Sequence, residues 1–190
     1  MSNSSTATLT PPVGKRDHIQ GESSAVVTLV EYGDYQCPFC GDAYPIIKRL
    51  QQHFGGQLRF VFRNFPLAKV HAYAQRAAEA AEAAGGQGKF WDMHDYLFEH
   101  QEALDAENLV RAAGTLGLDK MKFDREVAEH VYADRVQQDF QSGIDSGVGG
   151  TPTMFISGVR NDDDDDFETL KAKVEEAIML AKASKGERRS

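Results

Sequence analysis

The 190-residue chain predicts an α/β fold in which an all-helical insertion divides the sheet into two groups of strands. Three observations carry that prediction. Apolar runs of strand length stand near both ends, at residues 25–32 and 153–156, and nearly eighty residues of helix-period pattern separate them. A closing segment, Phe167 to about Ala183, sets Leu170, Val174, Ala177, Ile178 and Ala181 at helix spacing for packing back on the sheet. With 41% hydrophobic residues at about the length of one domain, the chain can bury one sizeable core but has no room for a second full domain. The expected organisation is a flexible arm over 1–20, a single domain over 21–183 with its insertion at about 67–147, and a polar tail over 184–190.

Each element has a local reason. Met1 to Gln20 is rich in Ser, Thr and Pro and reads as an arm without a core of its own. Ala25 to Tyr32 reads as a buried strand, and Ala43 to Phe54 carries helix-period apolar residues. That helix gains a natural start if Cys37 is its N-cap and Pro38 its first residue, because the missing proline N–H has no intrahelical partner to lose. Gly55-Gly56 stops it, Leu58 to Arg63 alternates as a second strand, and Asn64-Phe65-Pro66 ends the segment. From about Lys69 the pattern turns helical. The alanine-dense His71–Ala84 stretch breaks at Gly85-Gly86, and helices follow at Phe90–Gln101, Ala106–Leu116, Lys120–Glu129 and Ala133–Ser146. Thr153 to Ile156 resumes the sheet, Ser157-Gly158 makes a tight turn, and Val159 opens a short partner strand.

The chain has two cysteines, and they stand together as Cys37-Pro38-Phe39-Cys40 at the predicted strand-to-helix junction. Free N–H groups and the positive end of a helix dipole favour thiolate over thiol, and lower a cysteine pKa from about 8.5 to roughly 3.5–7.5. Cys37 is therefore the expected nucleophile. Residues three apart share a helix face, so Cys40 lies within disulfide reach, shielded one turn inside, as suits a resolving thiol. A zinc site is the poorer reading. His53 lies at finger spacing from Cys40, but the next histidine, His71, falls far outside the required interval. A structural bridge closing so short a loop would remove little entropy from the unfolded chain.

The remaining composition excludes more than it suggests. Net charge is −8 with basic residues scattered, so there is no electrostatic footprint for nucleic acid or an anionic membrane. No window has the apolar length of a membrane span, and residues 1–24 lack the apolar core of a secretory signal. The expected location is the cytoplasm, with an exported form whose leader has been removed as the alternative. The acidic run Asp162–Asp166 lacks the ligand alternation, glycine and distal glutamate of a calcium loop and reads as a solvated turn. His94 and His100, six apart, face different ways and read as ordinary helix residues.

Cys37-Pro38-Phe39-Cys40, Gly150-Thr151-Pro152-Thr153 and the insertion segment Gln87 to Asp95 together resemble the thioredoxin superfamily in its DsbA-like branch. The resemblance spans Val27 to Gly158. It implies a thioredoxin-like fold and thiol-disulfide exchange with cysteine-containing protein substrates, recycled by a thiol reductant or oxidant and needing neither metal nor organic cofactor. It also implies a cis proline at Pro152 facing the dithiol, with Pro38, Phe39 and the backbone of Thr151 meeting an extended substrate. Glu31, six residues before Cys37, matches the family's buried acid, whose raised pKa suits relaying a proton to and from Cys40. Phe39 stands where the most oxidising members carry histidine, which implies a less oxidising couple. Two other activities fit the same scaffold: a polypeptide-binding or chaperone module, and a glutathione-dependent isomerase or transferase, whose relatives usually have a lone serine or cysteine.

Overall fold

The computed structural model describes residues 7–187, with side chains as far as Ser184. Five strands form one sheet: β1 (His18–Gln20), β2 (Val27–Gly33), β3 (Leu58–Asn64), β4 (Thr153–Ile156) and β5 (Val159–Arg160), in the spatial order β1-β3-β2-β4-β5. β2 and β3 run parallel, with Val27 opposite Leu58 and Gly33 opposite Asn64, joined through helix α1 (Pro38–Phe54). The other pairings are antiparallel, and β4 pairs with β2 so that Glu31 stands opposite Met154. Ser157 and Gly158, both at positive φ, make the tight β4–β5 turn.

β2 is covered on both faces, as its continuous apolar run requires. Val27 and Leu29 join Phe60 and Phe62 of β3 under α1, the insertion and the closing helix α7 (Phe167–Glu187). Val30, Tyr32, Val61 and Phe155 form the opposite core. Strand alternation thus puts Glu31 on the α1 side, with Leu29.

The insertion comprises α2 (Ala74–Gly85), α3 (Phe90–Glu99), α4 (Ala106–Thr115), α5 (Lys120–Ala128) and α6 (Ala133–Asp145). Ala77, Ala80, Ala81 and Ala84 of α2 are all buried, and their small size lets neighbouring helices approach closely. Asp105 and Asp119 cap α4 and α5 by accepting backbone N–H bonds.

Two expectations are corrected. From Ala7 onward the arm expected over 1–20 belongs to the fold: Leu9 is buried, Thr8 bridges Val159, and His18–Gln20 adds β1 to the edge of β3. The cause is Arg63, which points into the second core, fully buried. Its guanidinium donates to Asp17 (2.8 Å), to Tyr32 Oη (2.8 Å) and to the Pro11 carbonyl (3.1 Å), so the arm supplies partners that a buried cation requires. Its first six residues lie outside the described residues. At the other end, α7 continues through Glu187 where a tail was expected from Ser184, and residues 188–190 lie outside the described residues.

Candidate active site

The β2–α1 junction positions the two cysteines. Cys37 is the N-cap of α1 in extended conformation (φ −71°, ψ 122°), and Pro38 opens the helix. Both thiols are free, and both are buried, Cys37 at 3% exposure and Cys40 at 0%. Accessibility therefore hardly separates them. Their hydrogen bonding and the depth at which each sulfur lies do. Cys40, placed to donate to the neighbouring sulfur, does most to hold the Cys37 thiol down to about 5, and it outweighs a burial that pushes the other way. The Thr151 hydroxyl and the N–H groups of Phe39 and Cys40, at the second and third helical positions, act in the same direction. Burial and the same sulfur pair raise Cys40 far above the ordinary thiol range.

The loop before β4 meets these sulfurs. In its protonated state Cys37 Sγ donates to the Thr151 carbonyl at 3.4 Å, and the Thr151–Pro152 peptide is cis. Thr151 Oγ1 is shielded and has no partner, which leaves its hydroxyl free to turn to the thiolate once the proton has gone. Phe39 stands out at 68% exposure beside Pro152.

Glu31 lies on the same side of the sheet, 1% exposed, with Oε1 unpartnered. Burial first, then the charges of Asp165 and Cys37, raise its carboxyl to about 8. The structure thus brings Cys37, Cys40, Glu31, Thr151, Pro152 and Phe39 to one place, with Pro38 starting the helix there. Among the described residues no three His, Cys, Asp or Glu side chains converge as metal ligands.

Three further residues shape the site, Asp34 from just before the dithiol and Gln101 and Asp165 from far along the chain. Asp34, 1% exposed, accepts bonds from Gln36 N (2.8 Å), Leu67 N (2.9 Å) and His71 Nδ1 (2.7 Å), while its own N–H points at Cys40 Sγ (3.5 Å). Gln101, just past α3, donates from Nε2 to the carbonyls of Tyr35 and Cys37, each at 2.9 Å. Its amide fills the space where a Cβ on residue 41 would sit, so Gly41 is required for this contact. Asp165, in the acidic run read as a solvated turn, is half-buried near Glu31, and burial raises its own carboxyl. None of the three carries a local motif. His94 is more than an ordinary helix residue: it is 2% exposed, held by Tyr35 Oη at 3.1 Å, and burial keeps it neutral by depressing its pKa well below the usual imidazole value.

Comparison with known proteins agrees with this geometry. A family model described as thioredoxin matches residues 14–176. The crystal structure of oxidised BdbD from Bacillus subtilis superposes with a TM-score of 0.83 at 25% identity, covering 92% of this chain and 99% of that one. Alpha-DsbA1 of Wolbachia pipientis shares the fold at a TM-score of 0.77 and 18% identity, covering 91% of this chain and 96% of that one. Among curated proteins, a Na(+)/H(+) antiporter NhaA 3 of Salinispora tropica is 44% identical over 167 residues, 88% of this chain. The chain spans about a quarter of the length of that relative (26%), so most of the antiporter lies outside the match. With a thioredoxin-like sheet, a helical insertion and a paired-cysteine helix start, the chain belongs to the thioredoxin family and has its DsbA-like form.

Proposed function

We propose that the chain is a thiol-disulfide oxidoreductase acting on cysteine-containing proteins. The observation that carries this reading is the unequal pair: one sulfur held near pKa 5 beside the Thr151–Pro152 loop, the other held protonated behind it. In the reductive direction the Cys37 thiolate attacks one sulfur of a substrate disulfide. That S–S bond breaks, the departing substrate sulfur leaves as a thiolate, and a mixed disulfide joins Cys37 to the substrate. Cys40 then loses its proton and attacks Cys37 Sγ, which releases the second substrate thiolate and leaves the Cys37–Cys40 disulfide. Two electrons pass from the dithiol to the substrate. Glu31, with a carboxyl near pKa 8 behind the sulfurs, serves to take the Cys40 proton and, in the reverse direction, to return it.

Pro38, Phe39 and the Thr151 backbone form the surface that an extended substrate meets, in a short strand-addition mode. A reducing cytoplasm would keep the pair as the dithiol, and an oxidising compartment would run the cycle in reverse. Replacing Cys40 with Ser tests the scheme. Mixed disulfides that depend on Cys37 should accumulate and be cut by dithiothreitol, and their absence would refute exchange.

A second reading follows from the curated relatives: a dithiol module serving a sodium/proton antiporter, whose cysteines would be its substrate. Co-expression of the Cys40→Ser variant with such an antiporter should then yield a Cys37-linked adduct at the summed mass.

A further inference from the structure

Beside the dithiol lies a cavity of about 510 Å³ between α1 and the loop leading into α7. Its wall is apolar, made by Phe39, Ile46 and Pro152, while Asp42, Asp165 and Asp166 stand around it. Among the described residues none of these three carboxylates makes an ion pair. The nearby cations are committed elsewhere: Lys173 to Asp163 at 2.7 Å, Arg160 to Asp162 at 2.6 Å, and Arg49 over the Phe167 ring. Behind the cavity the buried carboxyl of Glu31, its Oε1 unpartnered, lies within electrostatic reach of both Asp165 and Cys37. An apolar wall with an anionic rim is complementary to one kind of side chain, a long apolar stem ending in a cation. The exposed Phe39 ring offers such a cation a π face as well.

We infer that the cavity selects substrates carrying Lys or Arg two residues from the reacting cysteine, the stem lying on Phe39, Ile46 and Pro152 and the charge among Asp42, Asp165 and Asp166. The spacing follows from strand geometry. In an extended chain paired with the Thr151 backbone, residues two apart point to the same side, so these neighbours follow the cysteine toward α1. The inference rests on the exchange reading above and adds a substrate class to it. Attraction by an unpaired anionic rim acts mainly on the rate of encounter and weakens with salt.

The test uses the reduced full chain and synthetic peptides whose single cysteine is a mixed disulfide with 2-thiopyridine. Attack by the Cys37 thiolate on the peptide sulfur breaks that S–S bond, joins Cys37 to the peptide and expels 2-thiopyridone, whose absorbance reports the rate. Three peptides differ only in the residues two before and two after the cysteine, which are Lys, norleucine or Glu. The expected order is Lys above norleucine above Glu, with about threefold or more between the extremes at low salt. The spread should shrink on raising ionic strength with the unaltered protein, and again in Asp165→Asn and Asp42→Asn. Equal rates for the three peptides, or norleucine ahead of Lys, would overturn the charge selection while leaving exchange intact. Absence of Cys37-dependent release with every peptide would instead remove the exchange reading, and the inference with it.

Discussion

Replacing Glu31 with Gln separates the cost of a buried acid from its use. The side chain is 1% exposed, its Oε1 has no partner, and its carboxyl is raised from an ordinary 4.5 to about 8, chiefly by burial. The native state therefore holds a proton that the unfolded chain releases above pH 4.5. Stability falls where the native state binds more protons, by about 1.4 kcal/mol per pH unit, so this group's contribution is intact below pH 4.5 and is lost as pH rises toward 8. Across that window the loss is on the order of 5 kcal/mol. Glutamine cannot ionise, and its unpartnered amide adds a penalty of about 1–3 kcal/mol that does not vary with pH. Urea denaturation of both reduced proteins from pH 4.5 to 8 should give curves that diverge by about 1.4 kcal/mol per unit, the Glu31→Gln variant gaining on the unaltered protein. The same variant should slow the resolution of a trapped mixed disulfide by about 10²-fold or more, since Cys40 loses its proton acceptor. Parallel stability curves would refute the burial argument, and an unchanged resolution rate would refute the relay.

Other outcomes follow from the same contacts. Cys40→Ala should raise the Cys37 titration midpoint well above about 5, and Cys40→Ser should raise it less, because a hydroxyl still donates; thiolate absorbance distinguishes them. Burial pushes the Asp17 carboxyl up, but the bonds from Arg63 and Gly14 N–H outweigh it and hold the group below its ordinary 3.8. Its contribution is therefore full above pH 3.8 and lost as pH falls lower, and Asp17→Asn, which strands the Arg63 cation, should cost about 3–5 kcal/mol in denaturant melts at pH 7. Gln101→Ala should cost about 1 kcal/mol by removing the side-chain donor to the Tyr35 and Cys37 carbonyls, the latter keeping the Gly41 N–H, read by thermal unfolding.

The redox helix was legible because its signals are local: a β-branched run, then a cysteine where an N-cap belongs, then proline. The far loop at 151–152 was legible only through resemblance, since nothing in Gly150-Thr151-Pro152 announces that it meets Cys37 across 114 residues. β1 escaped because three residues, His18-Ile19-Gln20, carry no period, and its pairing is dictated by the exposed edge of β3 and by Arg63. The expected start of α2 at His71 comes at Ala74 instead. His71 is drawn to Asp34 and the Tyr73 N–H to Gln36 Oε1, so tertiary partners override the helix there. Gln101, Asp34 and Asp165 act at the site through contacts between distant segments, which residue type and spacing do not encode.

Titrating thiolate absorbance in the reduced protein tests the central claim most directly, because exchange here depends on one sulfur being ionised at neutral pH. A midpoint for Cys37 near 5, with Cys40 still protonated at the alkaline end, is the expected result. A midpoint near 9, the ordinary thiol value, would contradict it.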